Sequence, residues 1–355
     1  MPQGIKTKEN ETQESDRPRF AALLRPLVPA LLLLLKWLFR LVNRQNRQAL
    51  LKIPGVLAVY NSISRLCLSA RSEDGIPCAQ VNGLKMYLDP TEQAGVAASF
   101  LLGQYEVATT AVVMQVLTDG DAVVDVGAHW GYFTLLAASL CGQRGRVFAF
   151  EPHPKNFAFL TKNVEANLLT NVVAVQKAVS NHSGRSSLVQ AWFSAGHSLC
   201  SIPPQSRLGG GSAKDAMAVD TVALDDFFAQ SSVEPRLVKM DIEGAEPLAL
   251  AGMRRLIERN PSLVLISEFN PSYLDPKAGA DFLDQLVAWG FDVAIIDDKR
   301  RQLAVGRKAA ILKRGSEQGA PSNLFATRDR SLFERLLGQQ DRSGKHLGHI
   351  ERVRL

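Results

Sequence analysis

The sequence predicts an α/β fold on a mostly parallel sheet with crossover helices. Three observations predict it. From about residue 80, short β-branched runs alternate with helical patterns. In VVDVGAHWGY, residues 123–132, an apolar strand runs straight into a glycine turn. Acidic residues then close the later strands, at Glu151, Asp241 and Glu268.

Composition bounds the answer. The chain has 355 residues, a formal net charge of +6, 46% hydrophobic and 21% charged residues. That suits one domain of roughly 200–250 residues plus extensions, or two small domains, and excludes wholesale disorder. Cys67, Cys78, Cys141 and Cys200 are scattered without a CxxC pair. They argue against a disulfide framework and a cysteine-based zinc site, and for a reducing, cytoplasmic compartment. The positive balance favours an anionic partner, be it a membrane face, a nucleotide or a polyanion, without selecting one.

Along the chain, residues 1–19 read as a disordered polar tail and 20–75 as a helical extension. Within the extension, the apolar core Leu27–Leu35 is too short to span a bilayer, which takes about 20 residues. Two readings stay open for residues 20–42: an interfacial helix on the inner face of a membrane, with Trp37 and Phe39 at headgroup level, or a helix packed on the domain. The strands expected next are 122–127, 146–152, 172–179, 236–242, 262–269 and 291–297. Helical patterns over 131–141, 156–168, 246–259 and 280–290 separate them. Residues 201–217, with paired prolines and three consecutive glycines, read as a loop or lid. The tail 329–355 opens with an amphipathic turn at Leu332, Phe333, Leu336 and Leu337, then becomes basic.

The strand exits carry the chemistry. A strand-to-helix turn at the carboxyl end of a parallel sheet is where such folds bind ligands. Gly127 and Gly131 leave backbone accessible there, and the helix N-terminus offers free N–H groups. Glu151 follows Asp125 by about 25 residues, the position of a carboxylate that accepts both hydroxyls of a ribose. Together they imply an adenosine-bearing cofactor. The G-x-x-x-G spacing is wrong for NAD, and no GxxxxGK[ST] loop is present. In LVKMDIEGAEPLAL, residues 237–250, Asp241, Glu243 and Glu246 cluster at a strand exit. The helix dipole alone accounts for Glu246. Lys239 should share a face with Asp241 and pair with a carboxylate.

In order, D-V-G-A-H-W-G-Y-F-T, F-E-P-H-P-x-N and K-M-D-I-E-G-A-E resemble the FkbM family of S-adenosylmethionine-dependent methyltransferases. Gln104-Tyr105-Glu106, V-D-T-V-A-L-D-D-F-F (219–228), Ser267-Glu268-Phe269 and Ser322-Asn323-Leu324-Phe325 agree, so the likeness runs from about residue 80 to 328. The resemblance implies a Rossmann-like, seven-stranded class I methyltransferase sheet with an antiparallel last strand. It places Asp125, Gly127, Ala128, His129 and Gly131 around the amino-acid end and ribose of S-adenosylmethionine. Glu151 would bind the ribose hydroxyls, Asn156 would assist, and Ala178 and Val179 would flank adenine. The implied reaction is O-methylation of a sugar, glycolipid or natural product. A neutral hydroxyl needs a base or a metal: the candidate bases are Asp241, Glu243, Glu268 and His197, and the metal alternative would use Asp241, Glu243 and a histidine. A lone histidine such as His197 is more often structural. No recognisable metal-ligand spacing is present, so no metal residues are assigned. Two alternatives remain: a nucleic-acid methyltransferase, which no RNA-binding module supports, and a membrane-tethered cofactor-binding protein without turnover.

Overall fold

The computed structural model describes residues 76–89, 96–103, 105–190, 196–199, 216–270, 276–297, 302–306, 308–317 and 322–338. The expectations for residues 1–75, for 201–215 of the 201–217 loop and for the tail beyond 338 lie outside the described residues, while Ala216 and Met217, expected in that loop, begin a strand instead. The chain divides into two units, at Tyr105 and Glu106.

In the first unit, β1 (Cys78–Val81) and β2 (Leu84–Tyr87) form an antiparallel hairpin. Asn82 and Gly83 both have positive φ, as a two-residue hairpin turn matched to strand twist requires. Helix α1 (Val96–Leu102) packs against β1.

The second unit is built on an eight-stranded sheet. Its elements are α2 (Val107–Val116), β3 (Ala122–Val126), α3 (Tyr132–Cys141), β4 (Arg146–Phe150), α4 (Pro154–Ala166) and β5 (Val172–Val175), then β6 (Ala178–Val179), β7 (Gly184–Val189), β8 (Ala216–Val222) and α5 (Leu224–Phe227). After these come β9 (Leu237–Met240), α6 (Glu246–Ala251), α7 (Arg254–Arg259), β10 (Val264–Phe269), α8 (Pro276–Ala288), β11 (Asp292–Asp297), β12 (Gln302–Ala304), α9 (Lys308–Glu317), β13 (Ser322–Thr327) and α10 (Arg330–Gly338). The order across the sheet is β12-β11-β13-β10-β9-β3-β4-β5. Strands β5, β4, β3, β9 and β10 run parallel, and β13 is inserted antiparallel between β10 and β11. The order reverses between β3 and β9, so the crevice at their carboxyl ends is the switch point where this topology binds ligands. The seven expected strands are thus present. The short β12, antiparallel to β11, is an eighth that the sequence did not announce.

Two expected elements are divided. The run 172–179 is not one strand: the chain turns at Gln176-Lys177, and Ala178–Val179 leave the main sheet to pair with β8 in a three-stranded sheet, β6-β8-β7. The helical run 246–259 breaks at Gly252-Met253 into α6 and α7. A side chain at Gly252 would overlap the Ser180 carbonyl, so the helix path is set by close packing there.

The strands' period of two sorts the faces. Val124, Val126, Phe148, Phe150, Val238 and Met240 enter the main core with Phe228, Leu250 and Met253. The alternate positions place Asp125 and Lys239 side by side as register partners on the other face. Helix α10 buries Leu332, Phe333 and Leu336, so the start of the C-terminal tail docks on the domain, against β12 and β13. Among the described residues no helix is long and apolar enough to cross a membrane.

Candidate active site

At the end of β3, Asp125 is buried, and its Oδ2 accepts a 2.6 Å hydrogen bond from the Thr134 hydroxyl. Burial raises its pKa, while Lys239 and Thr134 oppose that shift. Gly127 follows with φ +80°. A Cβ there would lie 2.0 Å from the Asp241 carbonyl oxygen. The bare backbone is therefore demanded by β9's exit crossing the turn, a different reason from the ligand approach expected from sequence. Gly131 caps α3 with φ +94°, and a Cβ there would meet Leu160 at 2.8 Å. Ala128 is buried and packs with Ala149 and Leu160. His129 adopts φ +53°, which aims its N–H at Glu151 Oε2, 2.9 Å away. Its ring stacks on the fully buried Trp130, with centroids 4.4 Å apart.

Glu151 is the hub of the β3–β4 side. Oε2 takes the His129 amide, Oε1 takes the His153 amide at 2.9 Å, and the buried Asn156 side chain adds a third bond. Burial pushes the carboxyl up to about 7 against those three hydrogen bonds. Ala178 and Val179 are buried as well. The first packs with Leu188 and Val219, the second in the main core.

The β9–β10 side collects charge. The last register pair between these strands is Met240 with Ser267. One step further come Asp241 and Glu268, and the turn after β9 folds Glu243 back beside them. One carboxylate oxygen from each of Asp241, Glu243 and Glu268 lies within 4.8 Å of the others. Glu243 sits at φ +54° and Gly244 at φ +96°. This left-handed pair is held by the buried Glu246, which accepts the amides of Ile242 (2.9 Å) and Gly244 (3.0 Å). Burial raises Glu246 to about 7. Its carboxylate faces the backbone, as the structural reading of that residue expected. Glu268 is raised further, first by burial and then by Glu243, Asp241 and Glu246.

Lys239 balances the group. Its Nζ lies 2.9 Å from Asp241 Oδ2 and 4.5 Å from the centre of the Phe133 ring. Burial works against its charge, but Asp241, Glu106 and Asp125 outweigh burial and raise its pKa. Two contributors, Glu106 and Asn323, match family elements in the sequence but receive no role in the site there. Asn323, the β13 partner of Glu268, donates to Glu106 Oε2 (2.6 Å) and Thr109 Oγ1 (2.9 Å). Glu106 and Asn323 are 217 residues apart, and only the insertion of β13 beside β10 joins them.

His197 is not one of the residues whose oxygen or nitrogen atoms group with the three carboxylates. Its ring lies 4.2 Å from that of His153, and burial, then His153, lower it to about 4. The neighbouring Ser198 hydroxyl donates to the Ile242 carbonyl at 3.4 Å, tying this segment to the turn after β9.

Residues 125–293 match the family profile of the methyltransferase FkbM domain. Every cluster described above falls inside that span except Glu106, Thr109 and Asn323. The FkbM domain also brings relatives at the level of sequence. The chain is 27% identical over 150 residues to the hexuronic acid methyltransferase AglP of Haloferax volcanii, covering 41% of this chain and 56% of that protein. It therefore spans little more than half of that relative. It is 29% identical over 163 residues to a probable cobalt-precorrin-6B C(15)-methyltransferase of Sulfurisphaera tokodaii, covering 43% of this chain and 82% of that protein. The solved FkbM methyltransferase of Methylobacillus flagellatus aligns at 15% identity and a TM-score of 0.36, over 65% of this chain and 52% of that one.

The cofactor of an FkbM domain is S-adenosylmethionine, and the site's chemistry suits it. Glu151 is a buried carboxylate with no lysine or arginine paired to it among the described residues. A carboxylate has about four lone-pair positions, so its three hydrogen bonds leave room for a hydroxyl.

Proposed function

We propose that the chain is an S-adenosylmethionine-dependent O-methyltransferase whose acceptor is a hydroxyl on a sugar, glycolipid or natural product, with uronic-acid-bearing glycans the first class to try. One observation carries the reading: three carboxylates converge at the exits of β9 and β10, next to the switch point, and the most buried of them has a raised proton affinity. The relative named for hexuronic acid methylation supports the choice of acceptor. Its name does not establish it here.

S-adenosylmethionine supplies a methyl group already activated as a sulfonium, so the protein's work is mainly alignment. Glu151 and Asn156 hold the ribose side of the crevice, and the α3 N-terminus offers amides to the remaining polar groups. Glu268 and Glu243 face the acceptor side. A carboxylate crowded by like charge holds a proton more strongly than usual, which fits it to accept one from a hydroxyl during transfer. Lys239 offsets part of the negative charge and fixes Asp241 in place. His197, neutral over a wide pH range, serves as a wall between β4's exit and the turn after β9.

The test uses the purified full chain, methyl-labelled S-adenosylmethionine, and three acceptor sets: uronic-acid glycans, neutral glycans and RNA. Label in a glycan as an alkali-stable ether is expected. Asp241→Asn should lower turnover at least tenfold while sparing cofactor affinity. Label entering only RNA would overturn the acceptor class. Cofactor binding without label in any acceptor would overturn the enzyme reading.

A further inference from the structure

The acidic cluster holds more charge than its surroundings answer. Asp241 and Glu243 are partly accessible, but Glu268 is 95% buried, by its 5% relative exposure. Its Oε2 has no hydrogen-bond partner among the described residues, and one oxygen of its carboxylate lies within 4.8 Å of an oxygen of each of the other two. Leaving a buried acceptor unsatisfied costs about 1–3 kcal/mol, and more for a charged group. Nearby options for relieving it are limited. Lys239 is committed to Asp241 Oδ2 and lies over Phe133. The amide of Asn323, on the adjacent strand, is committed to Glu106 and Thr109. Glu246 adds further negative charge and has both oxygens on backbone amides.

We infer that Asp241, Glu243 and Glu268 form a binding site for one hard divalent cation of the magnesium class. The donor set is all oxygen, which suits magnesium, manganese or calcium rather than zinc or copper. Metal–oxygen distances of about 2.0–2.6 Å place opposite ligands roughly 4–5 Å apart, in line with three oxygens within 4.8 Å of one another. Glu268 supplies the buried anchor. Asp241 and Glu243 supply the open side, so an oxygen pair from an acceptor, such as a hydroxyl beside a carboxylate, can complete the shell. The sequence names all three as candidate acids but shows no metal-ligand spacing, because the third comes from a neighbouring strand, 25 residues beyond Glu243. The cation's use rests on the proposed methyl transfer, while its binding does not.

The test is titration of Mn2+ into the metal-stripped full chain, followed by the electron paramagnetic resonance signal of free Mn2+. One saturable site is expected, displaced by Mg2+ or Ca2+. Glu268→Gln should weaken it at least tenfold, and so should Glu243→Gln, whose partly exposed side chain leaves the buried packing alone. Glu258→Gln, in an exposed pair with Arg254, should change nothing. In thermal melts, Mn2+ should raise the Tm of the parent and not of Glu268→Gln. No saturable Mn2+ binding up to millimolar concentration would overturn the site, as would parent-like affinity in both Gln variants. Methyl transfer that persists in chelator without Mn2+ binding would remove the cation and leave the methyltransferase reading intact. Tight Mn2+ binding with no acceptor methylated would do the reverse.

Discussion

Glu151 joins the local fold to the proposed ribose contact. It closes β4, ties down the turn after β3 through the His129 amide, and starts α4 through the His153 amide. Replacing it by alanine removes the proposed ribose acceptor and orphans both amides. Glu151→Ala should therefore weaken S-adenosylmethionine binding by about 1–3 kcal/mol, measured by calorimetry. Near-native affinity would end its ribose role. Because burial holds the carboxyl near 7, the parent's affinity should rise between about pH 6 and 8 as the acceptor-only form fills. Glu151→Gln, which cannot titrate, should show a flat profile.

At the scale of elements, the turn between β9 and α6 decides the geometry of the acidic group. Its left-handed residues, Glu243 and Gly244, are unfavourable on their own and persist because Glu246 clamps the two amides beside them. Glu246→Ala should cost about 2–4 kcal/mol of stability, seen in urea denaturation, since it frees two partly or fully buried N–H groups. Turnover should fall more than cofactor affinity, because Asp241 and Glu243 lose their fixed positions while Glu151 keeps its own. A variant as stable as the parent would show that the turn holds itself. The insertion of β13 acts in the same way on the other flank, bringing Asn323 to Glu106.

For the whole molecule, the buried acids make stability depend on pH in an unusual direction. Glu151 and Glu246 stand at about 7 against an ordinary 4.5, and Glu268 is also raised, so the folded state holds more protons than the unfolded one between those values. Their contribution is complete below about 4.5 and is lost as pH rises through about 7. The half-buried imidazoles work oppositely. His197, lowered to about 4 from 6.5, contributes above about 6.5 and loses that contribution as pH falls, and His153 shifts in the same direction. Above about pH 6.5 the carboxylates' change is the larger, because the unfolded imidazoles are already half deprotonated. Stability of the ligand-free chain should thus fall by on the order of 2 kcal/mol between about pH 6.5 and 8, read from denaturant midpoints. A rise over that interval would contradict the burial of these groups as charged species.

The sequence by itself determined the alternation of strands and helices, the glycine turn after Asp125, the position of Glu151 and the acidic exit of β9. Each is local: a period of two, a glycine at a required conformation, an acid at a strand end. The tertiary structure decided the rest. It showed that Gly127 is bare to admit the Asp241 carbonyl, that Ala178–Val179 belong to a second sheet, and that 246–259 is two helices. Above all, it set Glu268 beside Asp241 and Glu243, and Asn323 beside Glu106. Strand order and register are cooperative outcomes of packing, and no spacing along the chain encodes which strand exits become neighbours.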